Sequence, residues 1–140
     1  MIVFSGQDKI QFGLFHYQHS LILSQKKLDG YDYVNLGSAL AEALSGEDLQ
    51  SKFLPMKAWD AVKAILNEHT KDGAVAIDNF AILFEPALKI NLAAFLKAAT
   101  TGRTLVLKLE RRVADDWHYY PFPEDHDYYL DLTGINTITC

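Results

Sequence analysis

A single cysteine, Cys140, excludes any disulfide framework within this chain of 140 residues and fits a reducing compartment. Long apolar runs are also missing: none approaches the ~18 residues needed to cross a bilayer. The opening MIVFSGQDK lacks the charged-then-apolar order of a secretion signal, so the expected location is cytoplasmic, with no membrane partner. Basic residues are in the minority, with 13 Lys and Arg against 18 Asp and Glu, for a formal charge of −5. This argues against nucleic acid as the direct ligand, because such binders carry a basic stripe. Lys108, Arg111 and Arg112 form the only dense basic patch. There is no internal repeat, no low-complexity tract and no linker long enough to divide domains. The Gly-x-Ser-x-Gly of a serine hydrolase is absent as well, and Cys140 is too terminal to serve well as a nucleophile.

What is present can build a core. Hydrophobic residues make up 49% and charged residues 22%, ordinary values for one globular domain. That domain divides into an N-terminal extension (1–19), a core (20–109) and an aromatic-rich C-terminal edge (110–140). In the extension, residues 2–4 suit a short strand. Ile10, Gly13, Leu14 and Tyr17 sit at helical spacing, which predicts a short helix over 7–18. SLILS (20–24) and YDYVNL (31–36) read as strands, joined by a polar link ending in Asp-Gly. That link is short for a parallel crossover. If the two strands are neighbours they should run antiparallel; if parallel, they must be separated. Ser38 is placed to cap a helix over 39–44.

Residues 47–55 are irregular or a single helical turn. A firm helix follows over 56–70, with Ala58, Val62, Ile65, Leu66 and His69 on one stripe and Gly73 closing it. AVAID (74–78) is apolar without alternation, as in a strand covered on both faces. Residues 80–84 form a helical turn or an extended link. A helix over 86–99 places Leu88, Leu92, Phe95, Leu96 and Ala99 on one face, with Pro86 in its first turn. LVLKL (105–109) is another buried strand. Residues 117–121 and 128–132 suggest two short strands. Residues 134–140 are a frayed tail or an edge strand. Alternating strands and helices imply an α/β three-layer sandwich with a mainly parallel sheet, helices on both faces, and possible antiparallel edge strands at the C-terminus.

Asp78 ends the central apolar strand. A strand ending in Asp is the second nucleotide signature of P-loop NTPases, where the acid holds Mg²⁺ beside the phosphates. The same pattern more often caps a helix or pins a loop. The first signature, Gly-x-x-x-x-Gly-Lys-Ser/Thr, supplies amides, a lysine and a hydroxyl. It should follow SLILS, yet the sequence there is QKKLDGYDYV. Lys26 and Lys27 could meet an anion, although lysines in a turn are usually solvated. The position after Asp78 is Asn79, which can orient a water but cannot take its proton. Thr100, Thr101 and Arg103 are either a polar sensor near Asp78 or plain turn chemistry. His16 with His19, and His118 with His126 near Glu124, Asp125 and Asp127, have no recognised metal spacing. The aromatic tail WHYYPFPEDHDYY suggests a protein interface through Trp117, Tyr119, Tyr120, Phe122, Tyr128 and Tyr129. The surrounding acids would repel nucleic-acid phosphates.

The stretch AVAIDNFAILFEPALKINLAAFLKAATTGRTLVLKL resembles that of the small P-loop proteins of BREX-type (type 3) phage-defence loci. The resemblance rests on Asp78, Asn79, Ile82, Leu83, Phe84, Pro86, Leu88, Lys89, Arg103 and Thr104. YDYVNLGSAL is similar to that family's second strand and following helix. Tyr120, Pro123, His126 and Tyr129 stand where its Tyr-x-x-Pro-x-His-x-x-Tyr ending would place them. Most of residues 20–130 is covered. The resemblance implies an NTPase-like fold and a role in a multi-protein antiviral system. The family's phosphate loop has no counterpart here, so it implies a degenerate member. The expectation is a non-catalytic subunit acting by protein–protein contact or self-association, with no catalytic residue, metal or cofactor. One alternative is an ATPase with an atypical site, using Mg and ATP with Asp78, Asn79, Arg103, Lys26 and Lys27. The other is a nucleic-acid-associated module.

Overall fold

The computed structural model describes residues 2–3, 20–111, 118–122, 124 and 127–140. The helix expected over 7–18 lies outside them, as do Trp117, Arg112, Pro123 and His126. Its strands are β1 (Ile2–Val3), β2 (Ser20–Ser24), β3 (Tyr33–Asn35), β4 (Ala74–Asp78), β5 (Thr104–Lys108), β6 (His118–Tyr119), β7 (Leu130–Asp131) and β8 (Asn136–Thr139). Its α-helices are α1 (Leu36–Ala43), α2 (Leu54–His69) and α3 (Leu92–Thr100). Six strands form one sheet in the order β1-β8-β2-β5-β4-β3, and every pair in it is parallel. β6 and β7 form a separate antiparallel ribbon. The α/β class and the parallel sheet agree with the sequence reading. The antiparallel pair stands off the main sheet. The terminal segment becomes β8, a parallel strand between β1 and β2 and not an edge.

Strand alternation sorts the sheet into two unlike faces. Leu21, Leu23, Val75, Ile77, Leu105 and Leu107 point to one face and join the large core. There they meet Leu54, Ala58, Val62, Ile65 and Leu66 of α2 and Phe95, Leu96 and Ala99 of α3. Full burial of each large aliphatic side chain contributes roughly 1.5–3 kcal/mol, so this face carries most of the stabilisation. The opposite face carries Ile22, Ala76, Val106 and Ile138, packed against Leu28, Tyr31, Tyr33 and Cys140. Helices on both faces were expected. Among the described residues, all three α-helices lie on one face and the other is covered by the link 25–32.

The reason is chain length. β2 and β3 are parallel members of one sheet with β5 and β4 between them. Tyr33 is level with Ile22, two residues below the end of β2, so the link must cross about 14 Å sideways and return about 7 Å along the strands, roughly 16 Å in a straight line. Residues 25–32 reach at most about 28 Å when extended and only about 12 Å as a helix. A helix through the whole link falls short, and the chain crosses instead with bends and a turn at Asp29–Gly30. SLILS and YVN are thus parallel and separated, one of the arrangements that the short link allowed. The step from β2 to β3 moves across the sheet in the opposite sense to the steps β3→β4, β4→β5 and β5→β8, and on the opposite face. Reversing both keeps one hand throughout, as the strong preference for right-handed crossovers requires.

Local chemistry shifts several boundaries. Asn35 caps α1, its side chain accepting from Ser38 N, so the helix begins before the expected Ser38 cap. The helix expected over 86–99 is split. Pro86–Leu88 is a 3-10 turn that ends at Lys89 in the left-handed region (φ 47°). Asn91 then caps α3 by accepting from Ala94 N at 3.0 Å. Ala81–Phe84 is likewise a 3-10 turn. No helix among the described residues is long and apolar enough to cross a membrane.

The cap at Asn91 should be measurable. Asn91→Ala is expected to cost about 1 kcal/mol in urea unfolding, and Asn91→Asp to retain most of that stability.

Candidate functional site

In an open parallel sheet, ligands bind outside the carboxyl ends of the strands, where successive connections leave on opposite faces. Here that point lies between β2 and β5. β2 leaves over the face that carries Ile22, Ala76 and Val106; β5 leaves toward the face of α1, α2 and α3, where Tyr119, Leu130 and Leu132 of the next segment join the core. Backbone pairing continues to the rim on both sides of β2, with β5 on one side and β8 on the other. Leu109 N donates to Ser24 O at 2.7 Å, and Cys140 N donates to Leu23 O at 2.8 Å. Ser24 is buried, and its Oγ accepts from Lys26 N at 3.1 Å. Lys108, paired in register with Ser24, lies 3.2 Å from Glu110. Among the described residues no helix begins directly after β2 or β5, so none of them offers helix-end amides to a phosphate in this crevice.

Asp78 sits one strand further along the same rim, at the carboxyl end of β4. One carboxylate oxygen accepts from Asn79 N at 2.8 Å, and the other lies 3.5 Å from Lys27 Nζ. Lys27 also stands 5.6 Å from the centre of the Tyr33 ring, while Tyr33 Oη accepts from Leu28 N. Burial raises the Tyr33 phenol above its ordinary pKa, and the charge of Asp78 adds to the rise. The link thus brings Lys27 to Asp78, as the sequence alternative for a nucleotide site supposed. The Lys27 side chain is 57% exposed, so the pair adds little to stability. The Lys26 side chain is solvent-exposed, and only its backbone is engaged.

Asn79 has a different task from orienting water. It takes a left-handed conformation (φ 50°), which Asn tolerates better than most residues. Its Nδ2 donates to Asn35 Oδ1 at 2.9 Å, and its carbonyl accepts from Gly37 N at 2.9 Å. Asn35 Oδ1 is the same atom that caps α1. A Cβ on Gly37 would stand 2.6 Å from Asn79 Nδ2, so only glycine fits beneath this amide. Asn79 is therefore a staple joining the end of β4 to the β3–α1 turn.

Arg103 is not near Asp78. It precedes β5, at the amino end of a strand parallel to β4, so the two residues lie at opposite ends of the sheet. Its guanidinium donates to Ala99 O, Ala98 O, Asn67 Oδ1 and Thr70 Oγ1 at 2.9–3.1 Å. Burial lowers its pKa from the ordinary value. It locks the last turn of α3 to the last turn of α2. Thr100 and Thr101 likewise donate to carbonyls of their own helix. The turn reading holds for these residues and the sensor reading does not.

The aromatic tail divides by strand parity. Tyr119 is 1% exposed and packs near Phe80, with ring centres 6.0 Å apart. It belongs to the core and is withdrawn from the expected interface. Tyr128 is half-buried and, with Phe84 and Phe122, forms an edge-to-face set that seats the ribbon on the core. Phe122 and Tyr129 are 38% and 40% exposed, and Tyr120 is half-buried. Of the basic patch, Lys108 is paired with Glu110, and Arg111 Nε donates to Pro121 O.

Sequence reasoning missed an open cleft of about 590 Å³ toward the amino ends of the strands, whose floor at Ala76 stops two residues short of Asp78 on the same strand. Asp29, Tyr31, Asp32, Glu68 and Asp72 line it over a floor of Ala74 and Ala76. The small residues at alternate positions of AVAID were its only sequence signal. Among the described residues, no group of three or more His, Cys, Asp or Glu side chains is arranged to hold a metal. The chain matches no family model, no curated protein and no solved structure.

Two substitutions test these assignments. Gly37→Ala should destabilise by about 1–3 kcal/mol through the clash with Asn79. Combining it with Asn79→Gly should recover part of that loss in a double-mutant cycle of urea melts. Arg103→Ala should cost about 1–3 kcal/mol because it strands several acceptors, and Arg103→Lys should restore only part, since an ammonium cannot span the same fork.

Proposed function

We propose that this chain is a non-catalytic, NTPase-like α/β subunit that works by protein–protein contact, in a bacterial antiviral system of the kind its sequence resembles. One observation carries the first part. The groups that a nucleotide would need are split between two ends of the sheet and already engaged. Asp78 is held by Asn79 N and Lys27, and Arg103 spends its donors on helix ends. The crevice between β2 and β5 offers no helix start for a phosphate. The second part is supported by exposed aromatic surface on the ribbon, where Phe122 and Tyr129 keep over a third of their area in water. Large apolar side chains in that position favour protein contact. The antiviral setting rests on the sequence resemblance alone.

A second reading keeps one observation in its favour. Asp78 does stand at the carboxyl rim, where a Mg-bound nucleotide would be held, with Lys27 beside it. Calorimetric titration separates the two. Mg-ATP and Mg-GTP should give no saturable binding tighter than about 1 mM. Micromolar binding that disappears in Asp78→Ala would establish the nucleotide enzyme instead.

A further inference from the structure

The β6–β7 ribbon presents an outward face whose chemistry selects a partner. His118 pairs across the strands with Asp131, and Tyr119 with Leu130. Continuing the register sets Tyr120 opposite Tyr129. Tyr119 and Leu130 point inward and are buried. Alternation then puts His118, Tyr120, Tyr129 and Asp131 together on the other side. The ring distances agree. His118 lies 6.1 Å from Tyr120 and 5.3 Å from Tyr129, and Tyr120 lies 5.9 Å from Tyr129. Asp131 is exposed, and its Oδ1 accepts from Thr133 N at 3.0 Å, which fixes the carboxylate at the edge of the rings. Its hydrogen bonds to Thr133 hold its pKa below the ordinary carboxylate value, with a smaller contribution from His118. Glu124 and Asp127, in the connecting turn, are also exposed.

We propose that this face binds an arginine-bearing segment of a partner protein, the guanidinium lying on the exposed Tyr129 ring and meeting the Asp131 carboxylate. This deepens the protein-contact reading above and rests on it. A guanidinium is flat, weakly hydrated and able to stack on an aromatic ring while donating to a carboxylate; an ammonium is not flat. The rings meet tilted or edge-on at 5.3–6.1 Å between centres and leave no gap among them for a rounded ammonium, so a cation is received on the outer face of one ring, Tyr129. Nucleic acid could stack on the same rings, but its phosphates would meet Asp131. A second copy docked face to face across a two-fold axis would bring this acid toward its own copy. Among the described residues Arg111 is a nearby like charge, and its Nε is held at Pro121 O. The net charge of −5 adds a long-range pull on a basic partner.

The test titrates the full chain with an unstructured Arg-Gly repeat peptide and its Lys-for-Arg twin, followed by calorimetry and by amide NMR shifts. The Arg peptide should bind with a Kd on the order of 10–100 µM, weaken with salt, and bind about five- to tenfold tighter than the twin. Tyr129→Ala and Asp131→Asn should each weaken it about five- to tenfold; the Asn variant keeps an acceptor for Thr133 N. Asp29→Asn with Asp32→Asn, in the distant cleft, should leave it unchanged. Equal binding of the two peptides, no binding, or loss only in the cleft variants would overturn the proposal. So would tighter binding of single-stranded RNA that is lost in Tyr129→Ala. Each of these leaves the nucleotide titration of Asp78 untouched, so failure here is separable from failure of the non-catalytic reading.

Discussion

The short link between β2 and β3 is the constraint from which most of this architecture follows. Residues 25–32 must pass over β5 and β4 to reach the far edge of the sheet. Wound as a helix, eight residues would span only about 12 Å and fall short of that crossing. Three consequences come from that single shortage. Between β2 and β3 this face of the sheet receives Leu28, Tyr31 and Tyr33 and no crossover helix. The cleft over Ala74 and Ala76 stays open, because a thin strap beside two alanines leaves volume that a helix would fill. Lys27 is delivered to Asp78 at the carboxyl rim. The same shortage removes the helix start that phosphate recognition requires at the first core strand. Fold and missing chemistry thus share one cause.

The polar residues at the sheet's two ends illustrate how a nucleotide-like sequence can carry structural work. At the carboxyl end, Asn79 occupies a left-handed conformation that is sterically costly for most residues. It is compensated by two bonds across to the Asn35–Gly37 turn. At the amino end, Arg103 donates to the Ala99 carbonyl in the last turn of α3 and adds a second donor to Ala98 O, which also accepts from Thr101 N. It also reaches Thr70 and Asn67 of α2. Both residues would catch the eye as catalytic candidates, since each is polar and next to a buried strand. In each case the hydrogen-bonding capacity is consumed within the fold, which is the usual fate of a half-buried polar group.

What the sequence disclosed, and what it hid, divides along physical lines. Ala74–Asp78 was legible to the residue because a continuous apolar run bounded by Gly73 and Asn79 leaves few alternatives. The α2 stripe was legible because its period is long and unbroken. The parallel relation of β2 and β3 was constrained by link length alone. The break before α3 was hidden: Pro86 and Asn91 can each start a helix, and choosing between them needs the Lys89 conformation. The choice between turn and sensor for Arg103 stayed open in the sequence because its distance to Asp78 depends on strand direction, which no local pattern encodes. The cleft was invisible because it is made by what two alanines do not fill.

The aromatic tail shows why parity matters more than composition. WHYYP reads as one block of surface-seeking rings, yet adjacent residues on a strand face opposite ways. Tyr119 enters the core beside Phe80, where burial raises its phenol pKa and the backbone amides of Glu110 and Arg111 partly offset the rise. Tyr120, next to it, stays with His118 and Tyr129 at the surface. The inward rings fix the ribbon to the domain through Phe84 and Tyr128. The outward rings can then be presented on a rigid support, where little side-chain freedom remains to be lost on contact. A surface platform is only as specific as the anchoring beneath it, so the buried half of this tail is a condition for any recognition by the exposed half.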